Sequence, residues 1–371
     1  MVFIHENEGW PRFSWDAAAV LPVLGRARHK QGLLLGRMRH LGFAFQAEAA
    51  VEVLTSDVVR SSAIEGERLD ADAVRSSIAR RLGLPQAGAR RANRNVEGIV
   101  EVMLDATRNA SHSVTAERLC GWHAALFPVG YSGTRPIAVG RWRTVEAGPM
   151  QVVSGPLGRE RVHFEAPAAE RLPGEMAAFI AWCNTEDGQD PLLRAAIAHL
   201  WFVTIHPFED GNGRLARALA DMMLARADGC PDRFYSMSTQ IETERKEYYQ
   251  ILECTQRGDG DITAWLDWFL GCLERAIDQA HLLTAGVLRK AEVWRILNGG
   301  PPVNDRQRLV VNRLLDDFKG GLTTTKYAKL ATCSADTALR DIQDLVARGV
   351  LVRSASGGRS TSYRLDDRRP E

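Results

Sequence analysis

Nowhere in its 371 residues does the chain run apolar for the roughly twenty positions that a bilayer-spanning helix needs. Residues 1–10, MVFIHENEGW, lack a basic stretch followed by an apolar one, so no secretory leader is expected. The six cysteines, Cys120, Cys183, Cys230, Cys254, Cys272 and Cys333, form no CxxC pair, which argues against a zinc ribbon or disulfide framework and for reduced core thiols. Charge of one sign is missing too: 47 basic against 46 acidic residues leave a net +1, which excludes a wholly basic nucleic-acid coat but not a local basic patch. There is no repeat of fixed period and no low-complexity segment. These absences predict a cytoplasmic chain with no membrane partner. What is present is globular: 45% hydrophobic, 25% charged, with nine Trp and twelve Phe, at a length that predicts two or three domains.

The order of patterns predicts a mainly α chain. From Ala17 to Asp105 the sequence reads as helices, with Val51, Leu54 and Val58 at helical spacing and Leu69, Ala73 and Ile78 continuing it. Leu82-Gly-Leu-Pro85 punctuates that run. Trp10, Pro11, Phe13 and Trp15, ahead of a capping Asp16, read as a packed aromatic arm. Two β-type runs, Gln151–Ser154 and Arg161–Phe164, flank Gly155-Pro-Leu-Gly158 and predict a hairpin. Helical periodicity then returns at Leu193, Ala196, Ile197, Leu200 and Trp201, and again at Leu215, Leu219, Met222 and Met223, stopped by Gly229 and Pro231. Near the C-terminus a short helix over Thr323–Leu330 and a longer one through Ala338, Leu339, Ile342, Leu345 and Val346 precede two strand-like runs around Gly357-Gly358. This is the order of a winged helix-turn-helix, able to serve DNA or a protein.

The chemistry sits between the two central helices. Gly211-Asn-Gly213, directly before a helix, offers free backbone N–H groups and the positive end of a helix dipole. Arg214 and Arg217 stand three apart and share a face, so two guanidiniums beside an amide nest make a polyphosphate cradle. Asp210 is a hard oxygen ligand suited to Mg²⁺ on phosphates. His206 is a base suited to neutral pH. Singly each has a bland reading: a satisfied histidine, an Asn-Gly turn, a solvated arginine pair. Together they point to transfer of a phosphorus group to a hydroxyl.

His206-Pro-Phe-Glu-Asp-Gly-Asn-Gly-Arg-Leu-Ala-Arg217 resembles the signature of the Fic domain family, HPFx(D/E)GNGRxxR, at every fixed position. Gly140-Arg-Trp-Arg143 is similar to the family's segment before its flap. The resemblance implies AMPylation: AMP passes from ATP to a Ser, Thr or Tyr hydroxyl of a target protein. It implies His206 as general base, Asp210 as Mg²⁺ ligand, Gly211, Asn212, Gly213, Arg214 and Arg217 as ATP phosphate-binding residues, and Phe208 as a buried anchor. The hairpin at 150–165 would be the flap on which a target docks, unless it is an ordinary edge hairpin. Tyr248, Tyr249 and Gln256 are candidates for the nucleoside, with a core role for the tyrosines equally open. Ser61, Glu65 and Gly66 fit the family's inhibitory pattern (S/T)xxxE(G/N), so Glu65 would pair with Arg217 and block it. Removal of AMP by the same site, and a nucleotide-sensing DNA-binding regulator, stay open as alternatives; a homodimer is also open. The expected division is an accessory helical region over 1–98 with an inhibitory helix at about 50–66, a Fic core over 99–275, a helical linker over 276–318 and a winged helix over 319–371.

Overall fold

The computed structural model describes residues 2–39, 41, 43–84, 92–155, 159, 161–315, 318, 320–354 and 361–366. The tip of the expected hairpin at 156–158 and the Gly357-Gly358 turn lie outside these residues, as does Pro85. The chain forms two compact units, one of residues 1–40 and 46–283, the other of 284–371 with 41–45.

The first unit is built from α1 (Ala17–Arg39), α2 (Phe43–Ile64), α3 (Ala71–Arg81), α4 (Arg94–Arg108), α5 (Ala116–Leu126), α6 (Leu172–Asn184), α7 (Pro191–Ile205), α8 (Asn212–Asp228), α9 (Met237–Thr243), α10 (Arg245–Gln256) and the start of α11 (Thr263–Asn298). The mainly α class is as expected. The Asp16 carboxylate caps α1 by accepting from the N–H groups of Ala18 and Ala19 at 2.8 and 3.2 Å. The periodic run from Val51 does not continue through Leu69: α2 stops at Ile64, and Asp70 starts α3 afresh by accepting from the N–H of Asp72 and Ala73. Local capping here overrides a helical period that crosses the break. The N-terminal aromatics pack as an arm, with Trp10 and Phe13 edge-on to Trp201 and the Trp10 indole N–H donating to Glu175 at 2.7 Å.

α7 and α8 form the centre of this unit and are buried on nearly every side, from Leu192 to Ile205 and from Leu215 to Ala225. α7 is apolar nearly all round, as suits a core helix, while α8 buries Arg217, Asp221 and Asp228 among its apolar residues, and the pair fixes the loop between them. β1 (Tyr131–Ser132) and β2 (Arg135–Pro136) pair as a small hairpin that the sequence reading did not anticipate. β3 (Gln151–Ser154) and β4 (Arg161–Glu165) are antiparallel with a bulge between Val152 and Val153, as the two β-type runs predicted. β4 is fastened to α10: His163 Nδ1 lies 2.6 Å from a Glu253 oxygen, Arg161 donates to Glu253 at 2.8 Å, and Arg257 donates to the carbonyls of Val162 and His163.

The second unit contains the end of α11, α12 (Asp305–Leu315), α13 (Thr324–Leu330), α14 (Ala335–Ala347) and the antiparallel pair β5 (Leu351–Arg353) and β6 (Tyr363–Leu365). Leu322 adds a bridge to Tyr363. Val293, Leu297, Val310 and Val311, inside the segment read from the sequence as a linker, share one buried cluster with Tyr327, Ile342 and Leu345. The cysteines are not all core thiols: Cys183 and Cys272 are buried, but Cys254 is exposed. Among the described residues no helix is long and apolar enough to cross a membrane.

Candidate active site

α7 begins with the Asp190 carboxylate accepting from Leu192 N–H at 2.8 Å and with Pro191 at its first position, where a missing N–H costs nothing. It ends at His206, whose φ of 51° and ψ of 58° are left-handed, an uncommon state for a residue with a Cβ. Its N–H still donates to Phe202 O at 3.0 Å, and Pro207 then prevents another turn. The His206 ring is held by Nδ1, 3.1 Å from Val203 O. A carbonyl only accepts, so Nδ1 carries the proton and Nε2 keeps its lone pair. Burial pushes the pKa of His206 below its ordinary value; the Val203 bond opposes this and Arg143 adds to it.

Arg143 is the strap of this corner. It is 3% exposed; its Nε donates to His206 O at 2.8 Å and its backbone N–H to Pro207 O at 2.9 Å, while Nη2 donates to Pro167 O and, at 3.5 Å, to Ile205 O. Phe208 is fully buried, as the anchor reading expects, and stacks on His123 with centroids 4.1 Å apart and planes 2° from parallel. Asn212 closes the loop reciprocally: its Oδ1 accepts from Phe208 N–H at 3.0 Å and its Nδ2 donates to Phe208 O at 2.8 Å. Its side chain is therefore committed to the loop, and its backbone amide is what it has for a ligand.

Gly211 precedes α8 at φ 79°, and a Cβ there would lie 2.8 Å from the Phe127 ring, so only glycine serves. The Asp210 carboxylate accepts from Gly211 N–H at 2.6 Å and from the Ser132 hydroxyl of β1. Among the described residues no cluster of three or more His, Cys, Asp or Glu side chains has the makings of a metal site. A single carboxylate beside a phosphate nest suits Mg²⁺ shared with substrate oxygens, an ion that dispenses with an all-protein cage.

Arg214 and Arg217 rise from the first turn of α8, and both already have carboxylate partners. Arg217 is 2% exposed; its Nη2 donates to Glu65 Oε1 at 2.7 Å and to Ser61 O at 2.9 Å, and its Nε to the Ser61 hydroxyl at 2.9 Å. Gly213 allows this approach, because a Cβ at that position would overlap Glu65 Oε1. Arg214 Nη1 donates to Glu67 at 3.0 Å, and its guanidinium sits over the Phe127 ring. Among the described residues the Arg214 Nε and Arg217 Nη1 donors are buried without a partner. The segment that brings in the carboxylates is a Schellman closure of α2: Gly66 at φ 86° donates to Ala63 O, and Glu67 N–H to Ser62 O, both at 3.0 Å.

The nucleoside candidates divide. Tyr248 is 1% exposed with its hydroxyl 2.9 Å from His199 Nε2, and Gln256 is buried with its amide donating to Thr204 at 3.2 Å. Only Tyr249 of the three presents surface, at 40% exposure, with its hydroxyl 3.4 Å from Ile64 O. The structure thus brings together Ser61, Glu65, Gly66, Asp210, Gly211 to Arg214 and Arg217 around one helix start, with His206 at the end of the helix before it. It adds Glu67, Ser132 and the clamp of Arg143, none of which the sequence reading assigned to the site.

Among the described residues the site thus sets a histidine with a bare Nε2 ahead of a helix start lined by two carboxylate-paired arginines. Residues 113–224 match the model of the Fic/DOC family, and residues 3–84 match a domain of unknown function, DUF4172. The chain carries a Fic/DOC-family domain. The Protein adenylyltransferase Fic of Nematostella vectensis is 29% identical over 235 residues, covering 62% of this chain and 49% of that protein. The Protein adenylyltransferase fic-1 of Caenorhabditis briggsae is 37% identical over 117 residues, covering 31% and 21%. The chain thus spans about half of the first relative's length and a fifth of the second's. Among solved structures, a Fic family protein from Desulfovibrio desulfuricans G20 aligns with a TM-score of 0.58 at 21% identity, over 97% of this chain and 99% of that one, a likeness of fold.

Proposed function

We propose that the Fic domain transfers AMP from ATP to a Ser, Thr or Tyr hydroxyl of a target protein, and that residues 61–67 hold it in check. The observation that carries the reading is His206, with its proton fixed on Nδ1 and Nε2 free, beside two arginines whose outward edges are occupied by carboxylates from the turn that closes α2. His206 Nε2 takes the proton of the incoming hydroxyl. The new O–P bond forms at the α-phosphorus while the bond to pyrophosphate breaks. The amides at the start of α8 stabilise charge on the transferring group, and Arg214 and Arg217 hold the β- and γ-phosphates. Asp210, kept in place by Ser132, would hold Mg²⁺, which lowers the charge of the phosphates when bound. Glu65 competes with the γ-phosphate for Arg217 and places negative charge where ATP must sit.

The reading is tested by intact-mass analysis after incubation with ATP and Mg²⁺. Glu65→Gly is expected to gain AMP-sized adducts that wild type lacks or forms far more slowly. Adding His206→Ala should remove them, a loss of at least about a hundredfold for a general base. An adduct that persists in the double variant would end the role of His206. Asp210→Ala should stop Mg²⁺-dependent transfer without lowering the melting temperature. Normal transfer by that variant would take the metal off Asp210.

A second reading, removal of AMP from a modified protein, has one observation in its favour: the Glu65 carboxylate lies over the first turn of α8, against Gly213, where it is able to orient a water. We read the second unit as a winged-helix docking module and favour nucleic acid as its partner, because residues 284–371 carry sixteen Lys and Arg against ten Asp and Glu.

A further inference from the structure

We infer that Glu67 is a second carboxylate of the brake, holding Arg214 as Glu65 holds Arg217, so that both arginines of the cradle must be freed before a triphosphate is fully bound; this rests on the adenylyl-transfer reading above. The two ion pairs are built as a unit. Glu65, Gly66 and Glu67 are the last residues of the Schellman closure, and the bonds from Gly66 N–H to Ala63 O and from Glu67 N–H to Ser62 O fix the backbone on either side of Gly66. One carboxylate then reaches Arg217 at 2.7 Å and the next but one reaches Arg214 at 3.0 Å. Arg214 has little freedom to look elsewhere: its side chain is 11% exposed and its guanidinium is seated 4.9 Å over the Phe127 ring.

The consequence is selectivity by phosphate number. A nucleoside monophosphate bound at the backbone amides of Gly211 to Gly213 has no phosphate to place on either arginine and leaves both pairs intact. A triphosphate must displace Glu65 and Glu67 together. Glu67 therefore weakens ATP binding without weakening AMP binding, and it acts on Arg214 whether or not Glu65 is present.

Calorimetric titration of ATP with Mg²⁺, and of AMP, into the full chain and its Glu67→Gln, Glu65→Gly and Glu65→Gly/Glu67→Gln variants decides this. Glu67→Gln is expected to bind ATP about fivefold tighter than wild type, roughly what a partly exposed ion pair withholds. The double variant should gain a similar factor over Glu65→Gly, with AMP affinity unchanged throughout. Glu67→Ala, which has no side-chain amide to bond Arg214, should show the same gain. Equal ATP affinities with and without Glu67 on both backgrounds would overturn the inference while leaving adenylyl transfer by Glu65→Gly standing. Equal tightening of AMP would also overturn it, since the effect would then be general charge rather than competition for Arg214. No ATP binding by a cooperatively melting double variant would remove both this inference and the reading beneath it.

Discussion

At the scale of single residues, Arg143 and Gly213 show how the site depends on what a side chain, or the lack of one, fits inside the fold. Arg143 donates to the carbonyls of His206, Pro207, Pro167 and Ile205 from a position that is 3% exposed. A lysine has no planar fork to satisfy several acceptors at once. Arg143→Lys should lower stability by about 3 kcal/mol, the cost of leaving buried carbonyls unpaired, measured by urea denaturation. A loss under about 0.5 kcal/mol would mean that water satisfies those groups. Gly213→Ala is the converse case: its Cβ would overlap Glu65 Oε1 and approach Arg217 Nη1 to 3.3 Å. It should break the Glu65–Arg217 pair, which a shift of the bound Arg217 resonances by NMR would report; unchanged resonances would mean that the helix start yields instead. At this scale the sequence is partly legible. The His206–Arg217 loop can be read because its chemistry is contiguous. Glu67 cannot, because it acts across the fold through a contact 147 residues away and looks in sequence like any surface charge; the Gly140–Arg143 segment is legible by resemblance, but the clamp of Arg143 on His206, 63 residues away, is not.

Elements were more legible than their roles. The apolar stripes of α7 and α8 mark both helices from the sequence, and the two β-type runs mark β3 and β4. The β1–β2 pair escapes because two-residue strands have no period to detect, yet β1 supplies Ser132 to Asp210. The break between α2 and α3 was blurred for the opposite reason, an apolar period that happens to cross a capped turn. The β3–β4 hairpin gives a prediction of its own. It is tied to α10 through Glu253, which takes His163, Arg161 and Arg257 at 2.6, 2.8 and 3.2 Å, and these partners hold its pKa below the ordinary carboxylate range even against burial. Glu253→Gln should loosen the hairpin, raising amide exchange in Gln151–Ser154 and Arg161–Glu165 by about tenfold while α7 and α8 stay protected. Unchanged exchange would show that the Arg257 bonds to the β4 carbonyls suffice.

For the molecule as a whole, two buried histidines link stability to acidity. Burial pushes His123 down to about 4 and His199 down to about 3, and each is neutral in the fold: Gly140 N–H donates to His123 Nδ1, and His199 sits against Tyr248. In the unfolded chain both take up a proton below about 6.5, so there the unfolded state binds more protons and stability falls as pH falls. For His123 the loss runs from about pH 6.5 to about 4, at about 1.4 kcal/mol per pH unit. His123→Gln, which keeps an acceptor for Gly140, should remove one proton from the uptake on unfolding between pH 6 and 5, measured as the change in slope of denaturation free energy with pH. An unaltered slope would mean that His123 is charged in the fold.

The segment that carries Glu65 does not hang on a loop. It ends α2, a helix with Ala49, Val53 and Val58 fully buried and with Asp57 accepting from Ser236 and from Ser238 N–H on the α9 side. Such a helix leaves its seat only by partial unfolding, on the scale of microseconds to seconds, whereas a carboxylate turning about its own torsions moves in nanoseconds or less. Opening and closing of the cradle by Glu65 alone is then far faster than any nucleotide arrives. Were that segment to compete with ATP as proposed, the competition would register in how often ATP enters, in proportion to the time the cradle stands open, and hardly at all in how long bound ATP stays.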